Sequence, residues 1–164
     1  LDKVGVISTC FTANSKCYPD LIGKLSPKTE VISHGCPNLA KLVECYVGKP
    51  EAQEIIDQDV KENLSGLVNE EKIDYCVLGC THYPLLTEVI GRVMGSGVTL
   101  INAGAEAARA LQETLQSGDM LAAEQVGDAT LYASDQPSDF GVMASRFLQE
   151  ELKKPVLPVD IDRY

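Results

Sequence analysis

Cys80, Thr81 and His82 stand together in the run Leu78-Gly79-Cys80-Thr81-His82-Tyr83-Pro84-Leu85-Leu86. A thiol, a hydroxyl and an imidazole in one short turn are the groups needed to move a proton on a small acid. The ordinary pKa of a thiol, about 8.5, is brought toward working pH by a helix start or a nearby cation. An adjacent imidazole can trade that proton or fix the ionisation. Gly79 lets the backbone bend and lets a substrate come close. A lone cysteine is more often structural, and a lone histidine at a turn more often caps or bonds backbone. A zinc site from Cys76, Cys80 and His82 has no evident fourth ligand and matches no familiar zinc spacing.

The elements that must position this run can be read on either side of it. Ile73 to Leu78 is apolar and reads as a buried strand. Pro84 suits a first helical turn, so residues 79–83 become a strand-to-helix turn at a strand's carboxyl end. That edge is where open α/β sheets bind ligands, and the free N–H groups of a helix start favour a thiolate. Upstream, Lys3 to Thr9 reads as a first strand, followed by a turn over Thr9 to Thr12. A helix capped by Asn14 or Ser15 runs to Leu25, with Pro19 awkward in its interior. Glu30 to Ser33 is a second strand, and Leu39, Leu42, Val43 and Tyr46 share a helical face. Glu51 to Glu70 reads as an amphipathic helix with Ile55, Val60, Leu64, Leu67 and Val68 on its apolar stripe.

Downstream, a helix runs from Pro84 to about Met94, Val98 to Ile101 is a fourth strand, and a helix spans Ala105 to Gln116. The stretch from Ser117 through Asp128 reads as a loop. Ala129 to Ser134 is a strand, Asp139 to Leu152 a helix, and Val156 to Val159 an edge strand interrupted by Pro158. Alternating strands and helices predict an α/β fold, a parallel-rich sheet with flanking helices.

The chain has 164 residues, 45% hydrophobic and 23% charged, with a formal net charge of −10 and no basic block. That balance argues against nucleic acid as a partner. No apolar run approaches membrane-spanning length. Cys10, Cys17, Cys36, Cys45, Cys76 and Cys80 form no CxxC pair and read as reduced thiols of a cytoplasmic protein, with Cys17, Cys45 and Cys76 as small buried hydrophobes. His34 reads as structural. No lysine sits in a phosphate-cradling glycine-rich loop, so pyridoxal phosphate is not expected.

Gly79 to Leu85 resembles the second cysteine motif of glutamate racemases, in the aspartate/glutamate racemase superfamily. Val4 to Thr12 resembles the family's strand ending in a Gly-Thr-x-x-Thr turn, with Ser8 where glycine is usual. Cys36-Pro37-Asn38-Leu39-Ala40-Lys41-Leu42-Val43-Glu44 resembles its Cys-Pro segment. Leu131 to Ser134 with Phe140 to Phe147 resembles its closing strand and helix. Asn102-Ala103-Gly104 departs from it, because an acidic residue commonly stands near this turn. The family's Asp-Ser-Gly turn and first catalytic cysteine have no counterpart here, so the chain resembles the carboxyl two-thirds of a glutamate racemase.

The resemblance implies two-base racemisation of L-glutamate to D-glutamate for peptidoglycan, without a cofactor. It implies that Cys80 is one base, that His82 assists it, and that Glu44 orients His82 or the substrate ammonium. Thr9, Thr12 and Thr81 are implied as donors to the substrate carboxylates. Residues 1–104 are implied to form one α/β lobe carrying the second catalytic cysteine, and residues 105–164 a tail that completes an amino-terminal lobe absent from this chain. Without that lobe, Leu131, Phe140, Phe147 and Leu148 of the tail lack part of their burial, which implies self-association, as in a homodimer, or a mobile tail. An aspartate or hydantoin racemase relative is disfavoured by Tyr83-Pro84-Leu85. A non-catalytic lobe that binds an amino acid or a partner protein is the reading from another class.

Overall fold

Four short β-strands carry the first unit of the chain, and each ends where a helix or turn must begin. The computed structural model describes residues 3–122 and 127–163; residues 123–126, within the expected 117–128 loop, lie outside the described residues. Strands β1 (Lys3–Ser8), β2 (Glu30–Gly35), β3 (Tyr75–Leu78) and β4 (Thr99–Asn102) pair in the order β2-β1-β3-β4, all parallel. β1 and β3 are the inner strands, and Val6, Ile7, Cys76 and Leu78 are buried on them. The order reverses between β1 and β3, which is the switch point where such sheets open a crevice at their carboxyl edge.

The β1 to β2 connection differs from the expected single helix. Helix α1 (Cys10–Ser15) begins at once after β1, and α2 (Cys17–Leu25) follows a break at Lys16, whose φ is 57°. Thr9 is the cap: its hydroxyl accepts the Thr12 N–H, so the expected turn is already the first turn of a helix. Pro19 is not in a helix interior. It is the third residue of α2, where its missing N–H costs no hydrogen bond.

Helix α3 (Leu39–Tyr46) buries Leu39, Leu42 and Val43. After a short 3-10 turn at Pro50–Ala52, α4 (Gln53–Asn69) buries Ile56, Val60, Leu64 and Leu67 and packs against α5 (Thr87–Met94). Ile56 takes the place expected for Ile55, which is half exposed, because only Ile56 continues the four-residue spacing of Val60 and Leu64. The helix expected from Pro84 starts instead as a 3-10 turn, Tyr83–Leu86. Helix α6 (Ala103–Ser117) follows β4 and buries none of its residues. Cys17 and Cys45 are exposed, contrary to expectation, since both sit on the solvent faces of their helices; Cys36 and Cys76 are buried.

By its contacts the chain divides into residues 1–118 and 119–164. The expected boundary at 104 falls at the start of α6, and that helix groups with the first unit. The second unit has its own small parallel pair, β5 (Tyr132–Ala133) with β6 (Leu157–Pro158), beside α7 (Pro137–Leu148). Its strands and helix are shorter than the sequence pattern predicts. Phe140, Val142, Phe147 and Leu148 of α7 all remain exposed, so little burial extends these elements.

Candidate active site

The turn after β3 is held by the neighbouring strand. Gly79 N–H donates to the Ile7 carbonyl at 2.8 Å, and Tyr83 N–H closes on the Cys80 carbonyl at 3.1 Å. A Cβ on Gly79 would stand 3.0 Å from the Ile7 carbonyl oxygen and 3.2 Å from the Tyr18 ring and from Val6. Only glycine lets the turn lie this close to β1. Below it, the fully buried Tyr83 anchors the motif. Its hydroxyl has no nitrogen or oxygen partner among the described residues and lies near the Cys36 thiol. Burial pushes the Tyr83 hydroxyl up in pKa, and burial pushes the Cys36 and Cys76 thiols to about 12. These three groups stay protonated throughout the neutral range.

Cys80 is partly exposed, and its Sγ lies 3.7 Å from His82 Nδ1. On the other side of the ring, His82 Nε2 lies 3.0 Å from Glu44 Oε1, brought from the end half of α3. A carboxylate there accepts the Nε2 proton. The neutral ring is then the tautomer with an acceptor at Nδ1, facing the thiol. Thr81 Oγ1, 3.4 Å from the same Nδ1, shares that acceptor. A thiol, an imidazole and a carboxylate in this sequence can pass the sulfur proton to the ring, with the carboxylate steadying the imidazolium.

Of the residues singled out in the sequence, Cys80, Thr81, His82 and Glu44 are thus in one contact chain. Thr9 and Thr12 are paired with each other, Oγ1 to Oγ1 at 3.1 Å, at the carboxyl end of the adjacent β1. His34 lies outside this chain, with its Nε2 buried and unbonded. Two further residues were not legible as site residues. Tyr18 and Asn102 line a cleft of about 210 Å³ that opens on Cys80. Asn102 had a signal, a capping residue at the end of a parallel strand. Nothing in the sequence ties Tyr18 to Gly79. Among the described residues, no group of three His, Cys, Asp or Glu side chains could hold a metal ion, and no helix is long and apolar enough to cross a membrane.

A parallel α/β lobe with a thiol–imidazole–carboxylate chain at the carboxyl edge of its sheet defines the class of protein: an α/β fold with polar side chains gathered at its switch point. Comparison with known proteins makes this specific: the chain matches part of glutamate racemases in both sequence and fold. It is 37% identical over 151 residues to a curated glutamate racemase of Geobacter metallireducens, covering 92% of this chain and 54% of that protein. It is 38% identical over 152 residues to that of Streptococcus uberis, covering 92% and 56%. A glutamate racemase structure from Bacillus anthracis superposes with a TM-score of 0.86 at 35% identity, over 97% of this chain and 57% of that one. One from Francisella tularensis, in complex with D-glutamate, gives 0.85 at 32%, over 100% and 60%. No family model matches the chain. The chain spans a little over half the length of the curated relatives it matches.

Proposed function

We propose that this chain supplies one acid/base thiol of a cofactor-independent, two-base racemisation of L-glutamate to D-glutamate. The observation that supports it most is the contact chain from Cys80 through His82 to Glu44, at the sheet edge shared with Thr9 and Thr12. Racemisation needs a proton removed from one face of Cα and another delivered to the opposite face. Cys80, its own proton passed to His82, takes the Cα proton as a thiolate and becomes a thiol. The electron pair left on Cα is spread into the α-carboxylate, whose oxygens take hydrogen bonds from threonine hydroxyls and backbone N–H groups. A second thiol on the far face then gives its proton to Cα. Reversal of the roles converts D-glutamate back.

In this reading Glu44 orients His82, and Thr9, Thr12 and Thr81 hold carboxylates. The second thiol comes from an amino-terminal lobe, which residues 105–164 complete. The relatives' greater length and the exposed Phe140, Phe147 and Leu148 support that assignment. Where that lobe is lacking, the same surface drives association into a homodimer. The D-glutamate formed feeds peptidoglycan synthesis in the cytoplasm, and so cell-wall growth and cell shape.

The test is the circular dichroism of L-glutamate followed over time. The chain alone should be nearly inactive. Adding the amino-terminal portion of a glutamate racemase relative should start racemisation, and Cys80→Ala should stop it. Full racemisation by the chain alone would refute the one-thiol reading. No racemisation by the combined portions, both shown folded, would favour a lobe that only binds.

A further inference from the structure

Cys80 has a neighbour on each side along the sheet edge. β3 lies between β1 and β4, so its turn is flanked by the Thr9–Thr12 pair at the end of β1 and by Asn102 at the end of β4. Adjacent strands are about 4.8 Å apart, which sets the step from one turn to the next. The space on the β4 side is the cleft of about 210 Å³, whose walls include Cys80, Thr81, Tyr18 and Asn102.

The Asn102 side chain is fixed there. Its Oδ1 accepts from Gly104 N–H at 3.0 Å and from Ala105 N–H at 3.2 Å, capping α6. Those two bonds use the oxygen and leave Nδ2, a two-proton donor, without a partner among the described residues. The cap also takes up the Gly104 and Ala105 N–H groups, and the amide is the side-chain donor on this wall of the cleft.

We propose that Asn102 is a substrate-positioning residue whose Nδ2 donates to one carboxylate of the dicarboxylic substrate in the cleft beside Cys80, while the threonine pair serves the other. This rests on the racemase reading for the substrate, and it adds a residue and a side to the site. A molecule with a carboxylate at each end of a short carbon chain then spans Cys80, with its Cα over the sulfur. A neutral amide donates to a carboxylate without adding charge.

Alkylation of Cys80 tests the subsite on the full chain without needing racemisation. In alkylation the Cys80 thiolate displaces iodide from the reagent and forms a sulfur–carbon bond. Iodoacetate carries a carboxylate and iodoacetamide is its neutral counterpart, so the ratio of their rates reads the subsite. Any change in thiolate population cancels in that ratio. Rates are read on the Cys80 peptide by mass spectrometry, because Cys10, Cys17 and Cys45 are exposed as well.

Asn102→Ser keeps a capping oxygen and loses the amide donor, and Asn102→Asp keeps the cap and adds a negative charge. The iodoacetate to iodoacetamide ratio should fall about three- to tenfold in Asn102→Ser, the scale of one hydrogen bond lost at a partly exposed site. It should fall further in Asn102→Asp. A ratio in Asn102→Ser equal to that of the unsubstituted chain, with folding unchanged by circular dichroism, overturns the proposal, even if Asn102→Asp lowers it by charge alone. In the combined two-part enzyme, Asn102→Ser should raise KM for glutamate more than it lowers kcat. If the combined enzyme does not racemise at all, the racemase reading fails, while the alkylation ratio still decides Asn102.

Discussion

Gly79→Ala should destabilise the first unit and loosen the Cys80 turn together. The new methyl would meet three groups at 3.0–3.2 Å, and one of them is the Ile7 carbonyl oxygen, which already accepts the Gly79 N–H at 2.8 Å. That oxygen belongs to the central strand and cannot swing aside as a side-chain tip can. Overpacking of this kind costs about 1–3 kcal/mol. The smaller entropy of the unfolded alanine chain returns about 0.4–1 kcal/mol, so the net loss is about 1–2 kcal/mol. For a chain of this size each kcal/mol moves Tm by roughly 2–4 °C. Gly66→Ala is the matched control: an added Cβ in the interior of α4 meets nothing within 4 Å. It should stabilise by about 0.5–1 kcal/mol, since glycine is the poorer helix former. Thermal and urea unfolding by far-ultraviolet circular dichroism reads both, and iodoacetamide reactivity at Cys80 reads the turn. Equal stability of Gly79→Ala and the unsubstituted chain, with unchanged Cys80 reactivity, would show that the contact with β1 does not hold the site.

Stability should fall as pH rises above about 9: burial pushes the Cys36 and Cys76 thiols up to about 12, so over that window the folded chain keeps protons that the unfolded chain has lost. Each thiol contributes a slope of about 1.4 kcal/mol per pH unit, and Cys76→Ala should remove one share of it, which unfolding titrations from pH 7 to 11 would reveal or deny. Glu44→Gln replaces the carboxylate in a half-exposed hydrogen bond to His82 and should cost no more than about 1 kcal/mol of stability. It should nevertheless slow Cys80 alkylation several-fold at neutral pH, and an unchanged rate would detach Glu44 from the thiol. Thr9→Val removes the cap of α1 and should cost about 1 kcal/mol, measured by urea unfolding.

Strand-to-helix alternation was readable because each parallel strand is a short apolar run closed by turn chemistry. The carboxyl edge that gathers Thr9, Cys80 and Asn102 follows from that alternation alone. What the sequence withheld is tertiary. Whether Thr9 ends a strand or caps a helix is decided by its hydroxyl accepting the Thr12 N–H, and threonine suits either role. Ile56 rather than Ile55 is the exception, since the four-residue spacing of Val60 and Leu64 already points to it. Glu44 and His82 are far apart in sequence and meet because α3 returns beside the 3-10 turn. Tyr18 reaches Gly79 for the same kind of reason, through the return of α2 over the sheet edge. The motif run was legible residue by residue, while the distances within it come from a turn that only β1 can hold.

The most direct test of the two-base account is solvent deuterium in the first turnovers. L-Glutamate is mixed in D2O with this chain and an amino-terminal portion of a glutamate racemase, and Cα is followed by NMR. Two thiols on opposite faces predict that the first D-glutamate carries deuterium at Cα while the remaining L-glutamate keeps its proton. Cys80→Ala should abolish formation of that product. D-glutamate that retains the original proton, or continued racemisation by Cys80→Ala, would contradict the account.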